Sequence, residues 1–350
     1  MNNQINNYYT YSKKYSNIFK KKMCLFFDHT TCNEEIIRSH TIQKRRSLER
    51  IAIDGHVYGF SQTKKIDLSS SPLSLQKISI NDASTFYGFC KKHDNELFDV
   101  IDNFDYVPSI QQAFLLTYRT LIRELYTKNA ATSTESIMNE IVNNFPNFVG
   151  RSNFEKILKA HQIGMKMGLL HSYYVVDEMF KKLVRKDFNS LQYFVVELKT
   201  FPEIMVSGSF MPEYDYFKCK IQDLIENKEL GWLALNVFAD SSKGIISFTW
   251  QENPIIEKFL ISLIKSNDMI NKIVELAFTN IENVFFSLEW WNNLSITRKS
   301  RIEKMVHDCD HYDSKTGMYI GIRNNNLHFV DWDVIKTHSN NSNIMKLLDT

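Results

Sequence analysis

Residues 23–98 decide how the chain is interpreted, because cysteines and histidines, the residue types that bind zinc, are concentrated there. This stretch holds three of the five cysteines and four of the ten histidines of the 350-residue chain. Its informative segments are Met23-Cys24-Leu25-Phe26-Phe27-Asp28-His29-Thr30-Thr31-Cys32, Ile36-Ile37-Arg38-Ser39-His40-Thr41-Ile42-Gln43, Asp54-Gly55-His56-Val57-Tyr58 and Phe89-Cys90-Lys91-Lys92-His93-Asp94. Thiolates and imidazole nitrogens are the usual ligands of structural zinc. The stretch therefore predicts a small module that zinc holds together.

Two pairs of residues make up the predicted zinc ligands. Cys24 and Cys32 are separated by seven residues, a wider spacing than the roughly two to four residues of most zinc knuckles. Cys90 and His93 form a Cys-x2-His pair at the start of a predicted helix, where one turn brings both side chains to the same point. His29 precedes Cys32 with ordinary knuckle spacing and is the alternative ligand. A knuckle pair combined with a helix-start pair is a treble-clef arrangement.

The composition is that of a globular protein long enough for two domains. Hydrophobic residues make up 43% of the chain and charged residues 23%, and no apolar run reaches the 18 or so residues of a membrane helix. An odd number of cysteines argues against a disulfide framework and favours reduced thiols or metal ligation. We expect a cytoplasmic protein with no membrane partner, in which residues 1–22 form a polar tail.

The charge is distributed unevenly along the chain. Residues 1–65 carry 12 Lys and Arg against 5 Asp and Glu, whereas residues 66–350 carry 30 against 35. The basic residues near the predicted zinc site are Lys20, Lys21, Lys22, Arg38, Lys44, Arg45, Arg46 and Arg50. A surface of this kind favours a nucleic-acid partner, because each neutralised phosphate adds affinity. The alternative is a solvated basic surface that has no partner.

The order of these segments resembles that of a known nuclease superfamily. A cysteine pair, a strand bearing Ser39-His40-Thr41-Ile42-Gln43 and a Cys-x2-His helix are similar to the HNH, or ββα-metal, nucleases. The segments also resemble an uncharacterised group of bacterial proteins that share Ser-His-x-Ile-Gln, Gly-His-Val-Tyr and Phe-Cys-x2-His-Asp. The nuclease resemblance covers residues 24–98, under a quarter of the chain.

The resemblance implies catalytic roles for three residues. His40 matches the general base that activates water, and His56 and Asp94 match ligands of a catalytic Mg²⁺ or Mn²⁺. The implied substrate is DNA more than RNA, and the implied setting is bacterial defence against mobile DNA. Two departures count against this activity: Ser39 stands where the family has an acid, and His93 serves as a zinc ligand. The alternative for His40 is a histidine that forms hydrogen bonds within a strand pair.

The rest of the chain predicts helices followed by a sheet. Residues 99–190 are predicted to be helical, with an amphipathic helix that begins after Pro108 and Ser109. Residues 191–350 form an α+β region in which short runs rich in Val, Ile and aromatic residues predict an antiparallel sheet with flanking helices. The runs 232–238 and 245–250 are its predicted hairpin.

Three functions remain open at this point, of which one is a zinc-stabilised scaffold that has no nucleic-acid partner and whose binding to DNA and RNA would be absent. The other two are more specific. The first is a metal-dependent nuclease of the HNH type, whose C-terminal region senses a protein partner or a trigger. The second is a non-enzymatic zinc-stabilised module that binds nucleic acid or protein. The surroundings of His40 discriminate between them: a nuclease needs an acidic or imidazole partner for a second metal, whereas a binding module leaves His40 paired with backbone.

Overall fold

The computed structural model describes residues 10–11, 13–28, 32, 34–62, 73–144, 151–225, 229–307, 312–313, 318–319 and 327–348. The chain forms two units. The first unit comprises residues 1–39, 85–97 and 121–186, and the second comprises residues 40–84, 98–120 and 187–350. Helices and antiparallel strands occur together, so the predicted α+β class is confirmed.

The strands are short and most belong to the second unit. They are β1 (Ile36–His40), β2 (His56–Gln62), β3 (Leu73–Ser79), β4 (Thr85–Cys90), β5 (Leu191–Leu198), β6 (Ile204–Phe210), β7 (Leu233–Ala239), β8 (Gly244–Gln251), β9 (Val284–Phe286), β10 (Tyr312–Asp313), β11 (Met318–Tyr319) and β12 (Val334–Ser339).

The helices include one of 35 residues. They are α1 (Lys91–Asp102), α2 (Ile110–Ser133), α3 (Glu135–Asn144), α4 (Arg151–Arg185), α5 (Pro254–Ile264), α6 (Met269–Asn280), α7 (Leu288–Asn293), α8 (Ile296–His307) and α9 (Ser342–Leu348). Short helical turns cover Lys44–Leu48 and Glu49–Ile51. Among the helices within the described ranges, none combines the length and the apolar character that a membrane span requires.

An eight-stranded sheet dominates the second unit. Its order is β12-β5-β8-β7-β6-β9-β2-β3, and its neighbouring strands pair antiparallel. The predicted hairpin is confirmed, since β7 pairs with β8 from Ala234 opposite Thr249 to Ala239 opposite Gly244. β2 and β3, which lie within the 23–98 stretch, are the last two strands of this sheet. β2 joins the sheet by pairing with β9, and β3 joins it by pairing with β2. Because β9 lies more than 200 residues after β2 in the chain, no local sequence pattern could predict this pairing.

The two faces of the sheet differ in chemistry, as alternation along β8 illustrates. Ile246, Phe248 and Trp250 belong to the main apolar core, together with residues of α5 and α6. Ser247 and Thr249 point to the opposite face and are fully buried. There the hydroxyl of Thr249 forms a hydrogen bond with Thr117 of α2. Hydroxyl and amide side chains therefore hold residues 110–120 against the sheet.

The first unit contains the segment around the predicted zinc ligands. β1 and β4 form a two-stranded sheet, and the chain before β1 runs along β4, where Leu25 N–H donates to the Gly88 carbonyl at 2.8 Å. The ring of Phe86 contacts those of Phe89 and Tyr126, with centroids 5.9 and 5.8 Å away. β4 leads directly into α1 at Lys91.

The packing of the sheet generates a stability prediction. Ile246→Ala removes a fully buried side chain from β8, so we expect it to lower the free energy of unfolding by about 2–5 kcal/mol. Ile296→Ala is the matched control, because Ile296 is 84% exposed, and its effect should stay within about 0.5 kcal/mol. All five tryptophans lie in the second unit, so urea unfolding followed by tryptophan fluorescence monitors the relevant transition. Equal effects of the two substitutions would contradict this packing.

Candidate metal centre

Four residues of the first unit converge on one point. They are Cys24, Cys32, Cys90 and His93, and their candidate ligand atoms all lie within 4.8 Å of one another. Cys90 ends β4 and His93 lies in the first turn of α1, so the helix begins at the site. Cys24 is brought in by the pairing of residues 23–25 with β4. The set is the one that the spacing predicts.

The distances in the cluster suit a shared cation. His93 Nδ1 lies 3.4 Å from Cys24 Sγ and 3.4 Å from Cys90 Sγ. One imidazole nitrogen offers either one proton or one lone pair, so it cannot form an ordinary hydrogen bond with both sulfurs. Around a tetrahedral ion with ligand bonds of about 2.3 Å to sulfur and 2.1 Å to nitrogen, the sulfur–nitrogen edge is roughly 3.6 Å. The cluster therefore has the size of a tetrahedral metal site.

Neighbouring groups fix the orientation of two ligands. The Cys90 backbone N–H lies 3.4 Å from Cys24 Sγ, to which it donates. The ring of Phe26 lies against the imidazole of His93, with centroids 4.1 Å apart. Phe180 of α4 contacts Phe26 at 5.1 Å and Phe27 at 5.5 Å. The aromatic side chains restrict water at the site and limit the rotation of His93.

The cluster opposes ionisation of its own thiols. Burial raises the pKa of Cys24. Burial and the neighbouring sulfurs of Cys24 and Cys90 raise the pKa of Cys32 to about 12. Without a cation, thiolates this close together repel one another and lose hydration. A bound dication reverses both effects, which is the usual reason for such a cluster to exist.

The three residues with implied catalytic roles lie outside this cluster. His40 Nε2 lies 3.2 Å from the backbone carbonyl oxygen of Ile80. His56 Nδ1 lies 2.6 Å from the carbonyl oxygen of Asp54, in a turn where Asp54 and Gly55 both have positive φ. Asp94 follows His93 on α1 and is partly buried. His29, the alternative zinc ligand, lies outside the described residues.

A basic and aromatic cluster is also present in the first unit. Lys22 Nζ and the Arg38 guanidinium each lie 5.8 Å from the centroid of the Tyr87 ring. Arg38 Nε also donates to the Tyr87 hydroxyl at 3.2 Å. Lys22 and Arg38 were among the predicted basic residues, whereas Tyr87 was missed. Its position on β4, between Phe86 and Gly88 and three residues before Cys90, was the available signal.

The chain was compared with protein-family models, curated proteins and solved structures, and none of them matches it.

The cluster generates a metal-content prediction. Cys90→Ala removes a buried ligand, so we expect bound metal to fall to less than about a tenth of the wild-type content. Cys219→Ala is the matched control, because Cys219 is an exposed cysteine of the second unit. Metal content by inductively coupled plasma mass spectrometry decides the outcome. If Cys90→Ala retained the metal content of Cys219→Ala, the assignment of the site would be wrong.

The raised thiol pKa values generate a proton-release prediction. Because the raised pKa values of Cys24 and Cys32 keep these two thiols protonated at neutral pH in the metal-free cluster, binding of a dication should release about two protons from them, one from each thiol. Apparent affinity should consequently increase as pH rises and decrease as pH falls. Calorimetric titration in buffers of different ionisation enthalpy measures the number of protons. Release of none would show that the sulfurs are not ligands.

Proposed function

We propose that the metal is a structural zinc ion and that the first unit is a zinc-stabilised nucleic-acid-binding module. Three thiolates and one imidazole form a soft donor set that favours zinc over Mg²⁺ or Ca²⁺. Four protein ligands complete a tetrahedron, which leaves no position for a reacting water. The zinc connects the segment before β1, the end of β4 and the start of α1, in the manner of a treble clef.

The charge of the two units is the observation that carries the nucleic-acid proposal. The first unit holds 18 Lys and Arg against 11 Asp and Glu, a net charge of +7. The second unit holds 24 against 29, a net charge of −5. The positive charge therefore belongs to the unit that contains the metal cluster. A net positive module of this size attracts a polyanion through counterion release.

The cluster around Tyr87 supplies a specific contact surface. Nucleic-acid-binding surfaces combine cations for the phosphates with aromatic rings for the bases. Lys22 and Arg38 are exposed, so their charged groups can reach phosphates while Tyr87 holds them in place. Lys22 also lies 3.5 Å from Glu35, an exposed ion pair that contributes little and exchanges readily for a phosphate.

A buried tyrosine positions the three consecutive lysines of the surface. The hydroxyl oxygen of Tyr126 lies 2.9 and 3.0 Å from the backbone carbonyl oxygens of Phe19 and Lys21, which share its single proton. Burial raises the pKa of Tyr126 to about 12, so this donor keeps its proton at neutral pH. Lys20, Lys21 and Lys22 are all exposed. The triple-lysine segment is thus anchored through its backbone and its charges remain available.

The contact of His40 fixes which ring nitrogen carries the proton. His40 Nε2 faces the carbonyl oxygen of Ile80 at 3.2 Å, and a carbonyl can only accept, so this nitrogen donates. A general base would then act through the lone pair of Nδ1, so this contact fits cleavage as well as binding, and the charge distribution carries the proposal. The HNH reading, with His40 as base and His56 and Asp94 as ligands of Mg²⁺ or Mn²⁺, remains the rival proposal.

Binding is tested by fluorescence anisotropy with DNA and RNA oligonucleotides over a range of salt concentrations. Replacing Lys22 and Arg38 together by Gln should weaken binding and reduce the slope of log Kobs against log salt by about 2 for duplex DNA, since two phosphate contacts are lost. Replacing the exposed Lys265 and Lys336 of the second unit by Gln is the control, which should change neither quantity.

Salt-independent binding, or an equal loss in both double variants, would refute the proposed surface. The same samples with Mg²⁺ or Mn²⁺ test the rival. Cleavage that disappears in His40→Ala at unchanged zinc content would establish the nuclease and overturn the non-enzymatic assignment.

A further inference from the structure

A small cavity of about 30 Å³ lies within the second unit, under the polar face of the sheet. The Thr41-Ile42-Gln43 segment that follows His40 contributes part of its wall, and Arg119 of α2 and Asn236 of β7 contribute another. The apolar remainder includes Leu116. The segment that the sequence singled out for catalysis therefore forms the wall of a cavity in the second unit.

Three polar atoms of this wall have no hydrogen-bond partner among the described residues. They are Thr41 Oγ1, Arg119 Nε and Asn236 Nδ2. Each belongs to a side chain that is 2% exposed. A buried polar atom without a partner costs on the order of 1–3 kcal/mol. Three of them around one cavity are the pattern expected of a binding site whose ligand completes the hydrogen bonds.

The neighbouring hydrogen bonds fix what each atom offers. The two terminal nitrogens of Arg119 donate to the Asp102 carboxylate at 2.8 and 2.5 Å, and Nε is the guanidinium nitrogen that has no partner among the described residues. Asn236 Oδ1 accepts from the hydroxyl of Thr120 at 3.0 Å, which shares its proton with the Leu116 carbonyl oxygen at 2.9 Å, and Asn236 Nδ2 has no acceptor among the described residues. Thr41 Oγ1 can both donate and accept. The cavity thus presents two donors and one group of either kind.

The arginines at the cavity are already paired with carboxylates. Arg119 is paired with Asp102, and Arg46 lies 3.2 Å from Asp105 and 3.3 Å from Asp240. Asp240 also lines the cavity. An incoming anion would meet this carboxylate without a free cation to offset it. The electrostatics therefore favour a neutral ligand.

We propose that the cavity binds a carboxamide group. Its carbonyl oxygen accepts from Arg119 Nε and Asn236 Nδ2, and its N–H donates to Thr41 Oγ1. A volume of about 30 Å³ corresponds to about two water positions, or to a ligand group of a few heavy atoms. The ligand is a small amide, or the amide end of a larger molecule.

The probe is acetamide, and the measurement is saturation-transfer difference NMR on the full zinc-loaded chain. Acetamide should bind saturably, with a Kd on the order of millimolar for so small a ligand. Acetate should neither bind nor compete. Thr41→Val should weaken binding by about tenfold, and Asn236→Asp, which retains an acceptor for Thr120 but places a carboxylate at the cavity, should abolish it.

Thr279→Val is the matched control, because the hydroxyl of Thr279 is also buried without a partner within the described ranges but does not line the cavity. It should leave acetamide binding unchanged. If Asn236→Asp fails to fold, Thr41→Val and the acetate competition decide the question. Three results would overturn the proposal: no saturable binding, which would mean that the cavity holds water only; acetate binding as tightly as acetamide; or equal losses in Thr41→Val and Thr279→Val.

Discussion

Three thiols and one imidazole of the first unit converge on one point, and the proposed zinc site depends on this convergence. Sulfur atoms at such separations attract one another only weakly, and burial makes ionisation of the Cys24 and Cys32 thiols unfavourable. A bound dication makes the same arrangement favourable, because each thiol exchanges its proton for a bond to the metal. A bound metal would join chain segments that are 66 residues apart, since Cys24 and Cys90 would be ligands of one ion.

The second unit depends on a different constraint, the satisfaction of polar groups between α2 and the sheet. Thr120 Oγ1 lies 3.0 Å from both Ser207 Oγ and Asn236 Oδ1, and Tyr106 Oη lies 3.4 Å from Ser247 Oγ. Buried hydroxyls of this kind stabilise one alignment of helix and sheet, because a shift would leave them without partners. The cavity lies beside this network, where Asn236 Nδ2 has no hydrogen-bond partner among the described residues. The same polar residues therefore align the helix with the sheet and line the proposed binding site.

The sequence predicted the residues of the cysteine and histidine cluster and the antiparallel sheet, and the reasons are local. Cys90 and His93 are spaced for one helical turn, and β7 and β8 are adjacent strands joined by a short turn. The pairing of β2 with β9 could not be predicted, because it joins residues far apart in sequence. The cavity was equally hidden, since Thr41, Arg119 and Asn236 meet only in the folded chain. Arg119, a charged residue within the buried part of α2, was an available signal for it.

The central claim is that one zinc ion is bound by Cys24, Cys32, Cys90 and His93, and the most direct measurement is zinc X-ray absorption spectroscopy of the purified chain. The account requires three sulfur ligands at about 2.3 Å and one nitrogen ligand at about 2.0–2.1 Å. Two sulfurs and two nitrogens would instead place His29 at the site in place of Cys32. A shell of oxygen ligands, or no zinc, would contradict the account.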